Sequence, residues 1–223
     1  WTLTGAKDCV LAGAQADVLL VTARASSGSG LFLVDAGAPG MHCVPLSTLD
    51  IGRRQARVVF HETPCRIVGS SEVGEGLIAR VLDSAALAVA AEQLGIAARC
   101  LELSVDYAGA RHQFGRPIGS FQAIKHRCAD MLVDVESARS VLYQAARLAA
   151  GGVDGLRVGA SLAKAFCSEA SCRVAAAAIQ VHGGIGYTWE HDLHLYYRRA
   201  FADALLFGDA VHHRERIASA VGM

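Results

Sequence analysis

The sequence predicts an α+β protein: the end of a β-barrel or sandwich domain over residues 1–70, then a mainly antiparallel four-helix bundle over residues 71–223. Three observations carry this. Short β-rich runs fill the first 68 residues, divided by Gly, Ser and Pro. Beyond residue 71 proline nearly vanishes, and Ala, Leu and Val recur at three- and four-residue spacing. Two of the helical stretches so marked are longer than an ordinary globular helix, which suits a bundle.

The β-rich runs are residues 17–22 (D-V-L-L-V-T), 30–34 (G-L-F-L-V) and 57–60 (R-V-V-F), with turn chemistry at 26–30 (S-S-G-S-G) and 36–40 (A-G-A-P-G). About five strands are visible. The chain opens on Trp1 without an initiator methionine, so it is expected to be a fragment whose barrel needs upstream chain to close. The helical stretches are expected at about 74–110, 121–150, 155–181 and 189–221, the last broken near Gly208. The first would rise roughly 55 Å at 1.5 Å per residue. The third is apolar almost all round at 175–179, which points to burial on several sides, including against another subunit.

Composition narrows the class. Hydrophobic residues make up 52% of the 223 and charged residues 19%, enough apolar surface for a packed core. Twenty-one basic and 21 acidic side chains cancel, which disfavours a nucleic-acid partner. No apolar run reaches the roughly 20 residues of a membrane span, and Trp1 begins no signal peptide, so no membrane partner is expected. Seven cysteines without a C-x-x-C pair argue against a disulfide framework or a zinc site. Free, mostly buried thiols in a reducing cytoplasm are the expectation.

Three constellations could carry chemistry. Residues 111–118 (R-H-Q-F-G-R-P-I) place Arg111 near Phe114 at a helix end, a pairing able to grip a phosphate and cover an aromatic ring. The same residues could be a helix stop at Gly115 with Phe114 plugging the bundle. Residues 180–187 (Q-V-H-G-G-I-G-Y) form a Gly-rich bend whose backbone a planar or anionic ligand can approach closely. They also read as a plain turn with Tyr187 in the core. At 206–210 (L-F-G-D-A), Asp209 reads as an N-cap or as a catalytic carboxylate. His212 and His213 beside it read as a solvated face rather than a metal site, and no paired Glu-x-x-His motif supports a di-iron centre. One carboxylate stands apart: Glu92, in an apolar helical run, is either a base with a raised pKa or a partner for an arginine across the bundle.

Taken in order, these elements resemble the acyl-CoA dehydrogenase family. Residues 108–131 (A-G-A-R-H-Q-F-G-R-P-I-G-S-F-Q-A-I-K-H-R-C-A-D-M) resemble its R-x-x-F-G segment. Residues 162–188 (L-A-K-A-F-C-S-E-A-S-C-R-V-A-A-A-A-I-Q-V-H-G-G-I-G-Y-T) match its A-K-x-x-A … A-I-Q-x-x-G-G-x-G-Y segment, and residues 1–13 resemble a mid-domain strand pair. The resemblance implies that 1–70 is the C-terminal part of the middle β-domain and 71–223 the helical C-terminal domain. It further implies FAD lying between subunits, with Arg111, Phe114, Gln180, Gly183 and Gly184, and secondarily Gln122, holding the adenine and pyrophosphate end of a neighbour's cofactor. The implied reaction is α,β-dehydrogenation of an acyl-CoA thioester, with electrons passed to an electron-transfer flavoprotein, in a homo- or heterotetramer.

The sequence departs from the family at two places. The family's catalytic Glu occupies slots that read Phe207 and Ala85 here, leaving Asp209 and Glu92 as the substitutes at hand. The family's W-I-T against the flavin ring reads Cys9-Val10-Leu11. An intact trans-contributed half beside a depleted ring-facing half suggests a subunit whose partner supplies the base, similar to steroid-side-chain acyl-CoA dehydrogenases. A non-enzymatic helical interaction module is the remaining reading.

Overall fold

A computed structural model describes residues 1–26, 28–69 and 74–222. The chain forms two compact units, residues 1–81 and 82–223. The domain boundary expected after residue 70 and part of the 26–30 turn fall on residues outside those described.

The first unit holds six strands among the described residues, in two antiparallel sheets. Strand β1 (Thr2–Leu11) pairs with β5 (Gln55–Pro64), which pairs with β4 (Met41–Leu46). Strand β2 (Val18–Ala25) pairs with β3 (Gly28–Asp35), which pairs with β6 (Arg66–Val68). The three β-rich runs read from sequence thus lie on β2, β3 and β5. Side chains alternate across a strand, so β2 turns Leu19 and Val21 inward while Val18 and Leu20 stay exposed. Leu3, Leu19, Val21, Phe32, Val34, Val58 and Phe60, drawn from both sheets, close one hydrophobic cluster. Cys9 lies at a register shift between Lys7 and Val10, with φ 56°, and is exposed.

The second unit is helical. It takes most of α1 (Gly74–Ala110), then a tiny hairpin of β7 (His112–Gln113) and β8 (Arg116–Pro117). After it come α2 (Gln122–Ala150), α3 (Val153–His182), α4 (Leu193–Leu205) and α5 (Ala210–Ala220). Helix α3 is the axis, packing against α2, α4 and α5. Ala163, Cys167, Ala170, Val174, Ala175 and Ala178 are buried along it, because alanine lets backbones approach where larger side chains would hold them apart. Helices α2 and α3 run antiparallel: Ala145 lies against Gly159, Ala138 against Cys167, and Asp134 against Arg173. Ion pairs then tie the outer helices inward, Arg199 to Glu92 at 2.5 Å and Arg216 to the buried Asp83 at 2.6 Å.

Helix α1 alone is long and apolar enough to cross a membrane among the described residues, which the sequence count of apolar runs missed. Its apolar residues nevertheless have a packing partner. Ala90, Leu94, Ile96, Ala97 and Cys100 are buried in the same cluster as the apolar residues of α2 and α3. The cysteines are all free, but only Cys100 and Cys167 are buried, fewer than expected. Burial pushes both thiols up to about 12.

Close approach is testable at two glycines. A Cβ at Gly159 would stand 2.7 Å from the Ala145 carbonyl oxygen, whereas one at the exposed Gly95 meets nothing within 4 Å. Gly159→Ala is expected to cost about 1–3 kcal/mol by overpacking. Gly95→Ala is expected to add about 0.5–1 kcal/mol by helix propensity. Urea midpoints at constant slope measure both.

Candidate functional site

The first constellation is not a helix cap. Helix α1 stops at Ala110, and Phe114 (φ 53°) with Gly115 (φ 78°) forms the two-residue tip of the β7–β8 hairpin. Two successive positive φ values make the mirror-image turn that matches strand twist, and Gly115 serves there rather than ending the helix. Phe114 does not plug the helices either: it is 92% exposed, its ring edge-on to Phe121 at 6.1 Å. Phe121 is covered on another side by the Arg116 guanidinium, 4.1 Å from the ring centroid. The Arg111 amide continues from Tyr107 O at 2.8 Å, and its carbonyl accepts from the Ile118 amide at 2.8 Å. Arg111 and Gln122 are both exposed.

The second constellation follows α3. Gln180 is exposed on its last turn, and Gly183 (φ 64°) begins a 3₁₀ segment, Gly183–Tyr187. A Cβ at Gly183 or Gly184 would meet only open space. Packing inside the chain therefore does not explain the absence of a side chain at Gly184, and the flank is free for a ligand to approach. The Gly183 amide is already donated to Ile179 O, so this residue offers an open flank rather than a free N–H. Tyr187 is 76% exposed, not in the core, because the 3₁₀ segment turns it outward.

A stacked pair joins the two constellations. Tyr107, on the last turn of α1, stacks on His182, at the end of α3, with centroids 4.4 Å apart. His182 is buried, its Nδ1 lies 2.9 Å from Ala178 O, and burial holds its pKa below the usual histidine range. The structure thus brings Arg111 and Phe114 to the same end of the helical unit as Gln180, Gly183 and Gly184. An open, mainly apolar groove of about 540 Å³ lies beside them, lined by Val105, Ala108, Pro117, Gly119 and Ile124.

Residues 73–222 match the model of the acyl-CoA dehydrogenase C-terminal domain. The chain belongs to the acyl-CoA dehydrogenase family. It is 44% identical over 177 residues to acyl-CoA dehydrogenase IpdE2 of Mycolicibacterium smegmatis, covering 79% of this chain and 52% of that protein. Among solved structures, it superposes with TM-score 0.89 and 34% identity on the ChsE4–ChsE5 complex from Mycobacterium tuberculosis, over 99% of this chain and 59% of that one. The Tcur3481–Tcur3483 steroid ACAD superposes with the same score at 33% identity, over 99% and 59%. The chain spans about half the length of the curated relatives it matches.

The two carboxylates weighed as bases are both engaged elsewhere. Glu92 Oε1 accepts from Arg199 at 2.5 Å, which joins α1 to α4 across the helices. Asp209 caps α5, its Oδ1 accepting the His212 amide at 2.8 Å. Phe207 is half-buried at the break between α4 and α5, and Ala85 lies on α1.

One group escaped the sequence reading. His213 is fully buried rather than part of a solvated face, because α5 turns it into the protein while its neighbour His212 stays exposed. Lys164 is also fully buried, with Ser161 and Ser168 on the same face of α3. The available signal was polar residues at three- and four-residue spacing, Ser161, Lys164, Ser168 and Ser171, inside an alanine-rich helix. Burial lowers Lys164 to about 8, with Asp203 pulling it back up, and lowers His213 to about 4.

His213 sets a pH dependence. Its folded pKa lies below the usual 6.5, so the unfolded chain binds the extra proton. Its contribution is complete above pH 6.5 and is lost as pH falls from 6.5 towards 4, with a slope of at most about 1.4 kcal/mol per unit. His213→Asn should flatten that stretch of a stability–pH profile relative to the unaltered chain.

Proposed function

We propose that this chain is the C-terminal portion of an FAD-dependent acyl-CoA dehydrogenase subunit that completes, in trans, the cofactor site of a homologous subunit. In this reading residues 1–70 are the end of a middle β-barrel domain and 71–223 a mainly antiparallel four-helix bundle. The observation that carries it is the convergence of an exposed Arg111–Phe114 hairpin and an open Gln180–Gly183–Gly184 bend at one end of the helical unit, joined by the Tyr107–His182 stack. These residues fit an FAD brought by another protomer. The Phe114 ring stands free to cover an aromatic system, Arg111 is free to pair with a pyrophosphate, and the glycine flanks leave room for close approach. Gln122, exposed at the start of α2, is positioned to add a hydrogen bond.

Bound FAD supplies the hydride acceptor for α,β-dehydrogenation of an acyl-CoA thioester. This chain's part is to grip the cofactor's far end, while the proton-abstracting carboxylate comes from the partner subunit. Two engagements favour that division: Glu92 is held by Arg199, and Asp209 is spent on capping α5. Cys9 lies at a bulge in β1, and on the resemblance it replaces the family's ring-facing tryptophan. The relatives named after two-component complexes, one of them a steroid ACAD, make a heterotetramer acting on a steroid-side-chain thioester the favoured assembly. An electron-transfer flavoprotein is the fitting acceptor and the cytoplasm the fitting place.

The test is co-expression. The full-length chain is expected to purify colourless alone and to turn yellow and active with a homologous partner subunit. Arg111→Ala and Gln180→Ala in that complex should each weaken FAD binding about 10- to 100-fold, the effect of losing a hydrogen bond to a charged group. Bleaching of a flavin-loaded chain by acyl-CoA in the absence of any partner would restore Asp209 or Glu92 as a base. Failure to hold flavin in every combination would leave a helical interaction module.

A further inference from the structure

Between α4 and α5 the backbone takes an expensive path. Phe207 (φ 56°) and Gly208 (φ 102°) are both left-handed, and an L-residue such as phenylalanine pays for that conformation with a close Cβ–carbonyl contact. No side chain fits at 208, where a Cβ would stand 2.4 Å from the His212 ring. A helix end at the surface is usually satisfied by water. Here buried side chains reach its carbonyls instead.

Lys164 Nζ donates to Gly208 O at 3.1 Å, to Ala204 O at 3.2 Å and to Ser168 Oγ at 2.9 Å. That uses all three ammonium hydrogens. Ser168 in turn is hydrogen-bonded to the buried Gln93 of α1. His213 Nε2 lies 3.0 Å from Phe207 O, which can only accept, so that nitrogen carries the proton. The Nδ1 lone pair then accepts from Ser161 Oγ at 3.3 Å. Lys164 and Ser161 sit three residues apart on one face of α3, so a single helix reaches the last turn of α4 at residue 204, the following turn at residue 208 and, through His213, residue 207.

We infer that α3 clamps the turn at residues 206–209 in one pose, through Lys164 directly and through Ser161 by way of His213, making Lys164 and His213 positioning residues for the side chain at position 207. Both donors bond to main-chain oxygens, so the pose does not depend on which side chain residue 207 carries. Charged groups face the clamp from each packed element: Asp203 on α4, Asp209 in the turn, and Arg216 and His212 on α5. What the turn serves rests on the proposed flavin site, since it is the family's base-bearing turn; the clamp itself stands in this chain alone.

Hydrogen exchange and nitrogen-15 NMR on the full chain without partner test the clamp. In the unaltered chain the His213 ring should show the Nε2–H tautomer from pH 5 to 8. Lys164→Met should speed exchange at amides 210–214 at least tenfold while amides 131–135 of α2 keep their rates. Lys164→Gln, which retains a donor and is the variant to read if the methionine form does not fold, should give a smaller local increase. An Nδ1–H tautomer, unchanged exchange at 210–214, or an equal increase at 131–135 would overturn the inference. Loss of flavin binding in the complex with these signatures intact would instead overturn the site reading and leave the clamp standing.

Discussion

A lysine ammonium with no exposure is costly to bury unless its hydrogens are accepted. At Lys164 the acceptors are a serine on its own helix and two carbonyls of the chain that follows α4. That requirement fixes more than one side chain. It ties α3 to the end of α4 at Ala204 and to the following turn at Gly208. The alanine-rich faces of α3 bring the helices close enough for the lysine to reach, and the lysine then selects one way for the chain to turn. Packing supplies the stability here, and the buried polar stripe supplies the particular pose.

The two ends of α3 divide the work. Near its start, Ser161 and Lys164 organise the α4–α5 break. At its end, His182 stacks on Tyr107 and brings the close of α1, with the hairpin that follows, beside the glycine bend. The hairpin matters because it lifts Phe114 away from the protein. The hairpin tip thus carries an exposed large aromatic near an exposed arginine, at the end of the helical unit where two glycines have open flanks.

The carboxylates show how a residue's chemistry is decided by its partner. Glu92 lies on the face of α1 that meets α4, and Arg199 meets it there, so its charge is satisfied. Asp209 is the first acceptor for the orphan amides of α5, a task for which a short carboxylate is suited by geometry. Both side chains are thus engaged within the chain, and the Phe207 backbone between α4 and α5 is met by His213.

Much of this was legible in the residues themselves. The change from short β-rich runs divided by Gly, Ser and Pro to apolar residues at three- and four-residue spacing marked the two kinds of structure, and the helix spans followed because apolar spacing is dictated by which face each helix must bury. The order of the R-x-x-F-G and Q-x-x-G-G segments named the family, since those strings are local. Whether Gly115 ended a helix or tipped a hairpin was not local: both use a left-handed glycine, and only the pairing of His112 with Pro117 separates them. The role of Lys164 was hidden for the same reason. Its two carbonyl acceptors lie 40 and 44 residues away in sequence, and a lone lysine in an alanine helix declares nothing until another helix is laid across it. Sequence determined which elements form and which motifs they carry; tertiary structure decided which polar atoms meet, because hydrogen bonds between distant segments exist only once packing has set the distances.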